Sequence, residues 1–160
     1  MDDTAVLFDD LVVPDNVQIA PFKAEHFLEL EVRAEDKGPR QEEAYMEKYL
    51  RSNEVPGYCY TIYVDGKILG CGGVRPYWNG VGEAWAIYPQ DVKAYAEDIY
   101  RYSRAVLEKI QKDNNLWRIQ AVARADFPAA LSFLRVLKFK VEGKLRKYNS
   151  DGTDAFLFAK

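Results

Sequence analysis

Residues Leu116 to Leu145 read LWRIQAVARADFPAALSFLRVLKFKVEGKL, and the fold turns on this stretch. Trp117 to Ala125 is rich in Val and Ile and alternates apolar and polar residues in places, as half-buried strands do. Pro128 suits the first turn of a helix, where a missing N–H costs nothing. Ala130, Phe133, Leu134 and Leu137 then fall on one helical face. Strand character returns from Phe139 to Tyr148. The stretch predicts strand, short helix, strand.

Working outward, Ser150-Asp151-Gly152 turns the chain into a last strand at Ala155 to Ala159. Upstream, Val92 to Lys112 carries apolar residues at Val92, Tyr95, Ala96, Ile99, Val106, Leu107 and Ile110, the period of a long amphipathic helix. Tyr58 to Val64 and Lys67 to Val74 read as strands, and the Asp65-Gly66 between them is a strong hairpin signal. Asn79-Gly80 marks a second turn before a strand at Glu83 to Tyr88. Ala24 to Arg33 and Arg40 to Leu50 look helical on either side of the breaker Asp36-Lys37-Gly38-Pro39, and Val17 to Pro21 suits a first strand. Met1 to Asn16 reads as an acidic tail tethered by Val6-Leu7-Phe8 and Leu11-Val12-Val13, leaving residues 17–160 as one domain. Such an order predicts an α/β protein with a mixed central sheet of about six to seven strands and helices on both faces.

With 160 residues, 48% of them hydrophobic, the chain can bury a substantial core. No apolar run approaches the roughly 18 residues needed to span a membrane. The acidic start MDDTAVLFDDLVVPD is unlike a secretory signal. Two cysteines, Cys59 and Cys71, and one histidine, His26, offer neither a disulfide framework nor a Cys/His metal cluster, so a reducing, cytoplasmic setting is expected. Charge is unevenly spread. Residues 1–100 hold 9 Lys/Arg against 19 Asp/Glu, and residues 101–160 hold 13 against 6. That asymmetry reads either as two mutually attracting halves or as an anion site on the C-terminal half. Nucleic acid is the weaker reading, since no binding motif accompanies the basic half.

The order of elements and the Leu116–Leu145 stretch resemble the GCN5-related N-acetyltransferases, the GNAT superfamily. Its members commonly read N-x-x-A-x-x-x-Y-x-x-x-G-F before a Glu-Gly turn. Here Ala130, Phe139 and Glu142-Gly143 match, while Phe127, Leu134 and Lys138 replace the Asn, Tyr and Gly. Gly70-Cys71-Gly72-Gly73 is a weaker match, because strand glycines also mark bulges. The resemblance implies acetyl-CoA in a V-shaped opening between the fourth and fifth strands. Trp85, Ala86 and Ile87 would then hold its pantetheine arm, with Tyr88, Lys93, Ala94, Tyr95 and Ala96 at the loop and helix start that take the pyrophosphate. Active members usually carry glycines in that loop, whereas this chain reads PQDVKAYAED.

The resemblance also implies Glu83 as the base that takes a proton from the acceptor amine. The usual acid, a Tyr, is Leu134 here, so Tyr148 is the catalytic tyrosine expected in its place, with Tyr88 and Tyr95 as further candidates. Arg75, Tyr77 and Trp78 either line an acceptor cleft or cap the sheet. His26 reads as an ordinary helix residue, and Cys71 as a small buried one. A narrower resemblance is to GNAT-like internal virion proteins of short-tailed bacteriophages, carried by DVKAYAEDIYRYSRAVLEKI, Trp117 to Val122 and SFLRVLKF. The expected function is acyl-CoA-dependent N-acetyl transfer to a small-molecule or protein amine. The alternatives are a catalytically degenerate phage protein that assembles with virion proteins, and a binder of an altered ligand.

Overall fold

The computed structural model describes residues 13–29, 43–89 and 92–160. Asp65 and Gly66 both adopt positive φ, 51° and 77°, as a type I′ hairpin demands. They join β2 (Cys59–Val64) to β3 (Lys67–Trp78). Gly80, at φ 80°, serves the next turn into β4 (Val81–Ile87). With β1 (Val17–Pro21) these strands form an antiparallel meander. β5 (Arg118–Arg124) lies parallel to β4, while β6 (Lys140–Leu145) and β7 (Ala155–Ala159) complete a seven-stranded sheet in the order β1-β2-β3-β4-β5-β7-β6.

Three α-helices lie among the described residues: α1 (Glu43–Asn53), α2 (Ala96–Asp113) and α3 (Pro128–Val136). On one face, Ile99, Tyr102, Val106, Leu107 and Ile110 of α2 pack with Ile119, Ala121 and Ala123 of β5. Phe133 and Leu134 of α3 pack against the same cluster. Each of the large side chains removed from water here contributes about 1.5–3 kcal/mol. Phe22, Ala24 and Leu50 pack with Cys59, Cys71 and Ile87 in the second cluster, on the opposite face. Helices therefore cover both faces, and the alternation read in Trp117 to Ala125 is the alternating burial of β5.

Three segments differ from the sequence expectation. Ala24–Glu29 is a 3₁₀ helix, the rest of the expected first helix lying outside the described residues. The long helix does not start at Val92. Val92–Tyr95 is a 3₁₀ turn, and α2 begins at Ala96 with no side-chain cap from Tyr95. Without a capping Ser, Thr, Asp or Asn, tight i→i+3 bonds suit such a start. Glu142-Gly143 is not a turn but lies within β6, at a register shift between Val141 and Gly143. The acidic tail up to residue 12 and the Asp36–Pro39 breaker lie outside the described residues. No helix among the described residues is long and apolar enough to cross a membrane.

The glycines of β3 mark close backbone approach. A Cβ on Gly73 would sit 2.0 Å from the Tyr58 carbonyl oxygen and 2.7 Å from the Cys59 Cα, and one on Gly72 would sit 2.5 Å from the Trp85 carbonyl oxygen. Backbone cannot yield as a side-chain tip can. Gly73→Ala is expected to cost about 3 kcal/mol of stability in denaturant unfolding. A loss under about 1 kcal/mol would show that the sheet opens there easily.

Candidate active site

β4 and β5 pair at Val81↔Arg118, Gly82↔Ile119 and Glu83↔Gln120, and their pairing ends there. Beyond Glu83, β4 stays bonded to β3 from Ala84↔Val74 to Ile87↔Cys71. Beyond Gln120, β5 stays bonded to β7 from Ala121↔Phe158 to Arg124↔Ala155. The two strands part, and a wedge opens inside the sheet with a strand edge along each wall. Backbone groups on such edges require partners, and an extended ligand supplies them as an added strand would. At the open end, the Tyr88 hydroxyl meets that of Ser103 at 3.1 Å, and the Tyr88 ring meets the edge of Phe133 at 5.8 Å.

Glu83 occupies the vertex, the last paired position. Arg75 lies directly across on β3, and its Nη2 donates to Glu83 Oε2 at 2.9 Å. The Tyr77 hydroxyl donates to the same oxygen at 2.5 Å. Glu83 Oε1 accepts from no described residue. The Glu83 side chain is only 16% exposed. Tyr77 gets there because β3 carries an extra residue. Pro76 pairs with Gly82 and Trp78 with Val81, so Tyr77 is the bulged position, and bulges re-aim side chains.

The Arg75 guanidinium lies over two rings, 5.7 Å from the centroids of both Tyr49 and Tyr77. Burial lowers its pKa, but Tyr77 and Glu83 outweigh that and leave it raised. Burial, then the bond to Glu83, push the Tyr77 phenol above its ordinary value, so it remains a donor. The sequence marks Tyr77 with Arg75 and Trp78 as a cleft or cap residue, but not as a partner of Glu83. Its signal, a tyrosine two residues from Arg75 and across a hairpin from Glu83, has meaning only once the bulge is known.

The other expected residues spread along the wedge. Trp85, Ala86 and Ile87 lie on β4 beyond the vertex, and the buried Trp85 Nε1 meets no acceptor among the described residues. Lys93, Ala94, Tyr95 and Ala96 are exposed at the 3₁₀ turn and helix start, where Glu97 and Asp98 occupy the first turn of α2. Tyr148 does not meet Glu83. It follows β6, three strands away from β4 in the sheet order, at the level of Arg124 and not of Gln120. That separates them by about 14 Å across the sheet and about 13 Å along it. Leu134 is partly buried against the core.

Two expectations concerned other side chains. His26 Nδ1 meets the Lys23 N–H at 3.2 Å and the Thr61 hydroxyl at 2.7 Å, bracing the 3₁₀ helix against β2. Cys59 and Cys71 are both buried, and burial pushes the Cys59 thiol up to about 11. As for charge, every ion pair between described residues joins partners within residues 1–100 or within 101–160. At the end of β5, Arg124 bridges Asp126 at 3.0 Å and Asp151 at 2.7 Å, tying together the loops beside the open end.

Solved structures share the whole architecture. The ribosomal L7/L12 α-N-protein acetyltransferase RimL, in complex with coenzyme A, matches with a TM-score of 0.72 at 15% identity, covering 93% of this chain and 96% of its own. An acetyltransferase of the GNAT family from Bacillus anthracis gives 0.69 at 15% identity, covering 93% and 96%. The ribosomal-protein-S18-alanine N-acetyltransferase from Escherichia coli gives 0.63 at 20%, covering 89% and 92%. The fold is the GNAT acetyltransferase fold. No protein-family model and no curated protein matches the sequence.

Arg124 makes the stability of the open end depend on pH. Its hydrogen bonds hold Asp126 below the ordinary carboxylate range, and the Thr153 hydroxyl, then Arg124, do the same for Asp151. A depressed carboxylate stabilises the fold above its unfolded pKa, about 3.9, and that contribution fades as pH falls through the folded value. Arg124→Gln is therefore expected to lower Tm at pH 7, with the gap from the parent protein closing below about pH 4. A gap that is independent of pH in thermal melts would argue for lost packing instead.

Proposed function

We propose that this protein transfers an acetyl group from acetyl-CoA to an amine, with Glu83 as the base. One observation carries the reading: the parallel β4–β5 pairing stops at Glu83↔Gln120, leaving a carboxylate at the vertex of an opening in the sheet. Likeness to solved acetyltransferases, one of them holding coenzyme A, supports the same reading. The thioester arm would lie along Trp85, Ala86 and Ile87, where strand-edge backbone and the orphan Trp85 Nε1 await partners. The phosphates would meet Lys93, Ala94, Tyr95 and Ala96 at the start of α2, where helix N–H groups favour an anion.

In this reading the acceptor ammonium binds at Glu83 Oε1 while Oε2 stays fixed by Arg75 and Tyr77. Glu83 takes one proton from the ammonium. The nitrogen lone pair then bonds to the thioester carbonyl carbon, the C–S bond breaks with its electron pair on sulfur, Glu83 releases its proton to solvent, and the nitrogen's second proton passes to the thiolate to give the thiol. Neither Leu134, which has no hydroxyl, nor the distant Tyr148 supplies that last proton. The acceptors named for two of the structural neighbours are ribosomal proteins, and for this chain a small-molecule or protein amine in the cytoplasm is the corresponding proposal.

A second reading rests on a different observation. No glycine lies between Pro89 and Ala96, and Glu97 and Asp98 oppose phosphate at the helix start. That suits a GNAT fold kept for a structural role, as in the internal virion proteins of short-tailed bacteriophages, with virion proteins as partners and no acetyl-CoA bound. Calorimetric titration with acetyl-CoA separates the two. Transfer predicts a Kd of about 1 μM to 1 mM, and no heat at higher concentration favours the structural role.

Two variants refine the transfer reading. Glu83→Gln is expected to lower kcat about 100-fold or more with unchanged acetyl-CoA affinity. Glu97→Gln, which removes a negative charge from the phosphate end, is expected to tighten acetyl-CoA about two- to five-fold. Full turnover by Glu83→Gln would remove the base, and weaker binding by Glu97→Gln would move the phosphates elsewhere.

A further inference from the structure

The Arg75 guanidinium carries five N–H groups; Nη2 donates to Glu83, and a second bond joins the guanidinium to the Tyr77 side chain. The remaining N–H groups meet no other acceptor among the described residues, although the side chain is only 34% exposed. On the other side of the pair, Glu83 Oε1 is uncommitted as well. The remaining guanidinium N–H groups and one carboxylate oxygen thus stand side by side with partners still to take. We propose that the acceptor is an α-amino acid, its ammonium on Glu83 Oε1 and its carboxylate on the remaining N–H groups of Arg75. This deepens the acetyl-transfer reading and rests on it.

Charge argues for the same class. Arg75 cancels Glu83, so the vertex has no net charge for a polyamine to neutralise, whereas a zwitterion finds a partner for each of its ends. The neighbouring charges on this side of β5 are also self-cancelling. Arg118 is held by Glu142 at 2.8 Å and by the neutral Gln120 that flanks Glu83. A guanidinium held by Glu83 and lying over two aromatic rings is restricted in orientation, which favours carboxylate binding. Tyr77 and Trp78, 39% and 70% exposed with ring centroids 5.7 Å apart, form an apolar shelf beside the pair. An apolar or aromatic side chain on the acceptor would cover it.

The test is ligand-observed NMR on the full chain without acetyl-CoA, using L-phenylalanine, L-phenylalaninamide, phenethylamine and spermidine. L-phenylalanine is expected to bind about ten-fold or more tightly than the amide or phenethylamine, which keep the ring and amine but lack the carboxylate. Arg75→Met should bring the acid-to-amide ratio close to one, with Arg75→Lys restoring part of it. Should Arg75→Met fail to fold, the ligand series on the parent protein decides alone. Equal binding of acid and amide, preference for spermidine, or no binding of L-phenylalanine would overturn the proposal. An acetyl-transfer assay over mixed amines keeps the two readings apart. Transfer to amines lacking a carboxylate, with acid and amide bound equally, removes only the amino-acid proposal. Selective binding of L-phenylalanine with no transfer to any amine removes only the transferase.

Discussion

The brevity of one parallel pairing organises this molecule. β4 and β5 share only the positions from Val81↔Arg118 to Glu83↔Gln120, then each commits its hydrogen bonds to its other neighbour. A sheet interior rarely leaves strand edges unpaired, because buried backbone groups without partners are costly. Here the cost is tolerated because each strand is fixed from outside. Trp85 packs edge-on against Phe22 at 5.0 Å, and Ala121 and Ala123 belong to the cluster that α3 covers. The opening is therefore a property of the whole sheet and not of a mobile loop.

The vertex combines strength with incompleteness. A cross-strand ion pair between directly opposed residues contributes modestly in water, but burial and aromatic neighbours make the Arg75–Glu83 pair a fixed element. Both of its donors converge on one carboxylate oxygen, which leaves the second free without leaving the side chain free to turn. Such preorganisation is what chemistry on an incoming amine requires. The helix start is a contrast. Glu97 and Asp98 suit the dipole of an uncomplexed helix, so whatever binds beside α2 must compete with the protein's own charges.

Much of the fold was legible because it rests on local chemistry. Asp65-Gly66 reads as a hairpin since few pairs accept two positive φ values, and Pro128 reads as a helix start since its ring presets the backbone. The alternation of β5 needs only period two, and β7 is a short apolar run set off by a turn. What escaped was set by long-range pairing. The placement of Glu142-Gly143 inside β6 and the bulge at Tyr77 have no signature in composition. Glu83 was legible through resemblance. Tyr148 was chosen by residue type, and only the strand order reveals how far away it lies.

The bulge at Tyr77 gives the site an unusual kind of fragility. Its ingredients are addressed by counting along the chain as much as by chemistry. Deleting the bulged residue would restore a regular ladder and remove the phenol with it, while Arg75 and Glu83 stayed in place. Sequence drift in this hairpin is therefore constrained in length before it is constrained in identity, and the spacing between Arg75 and Gly80 carries information that no single side chain holds.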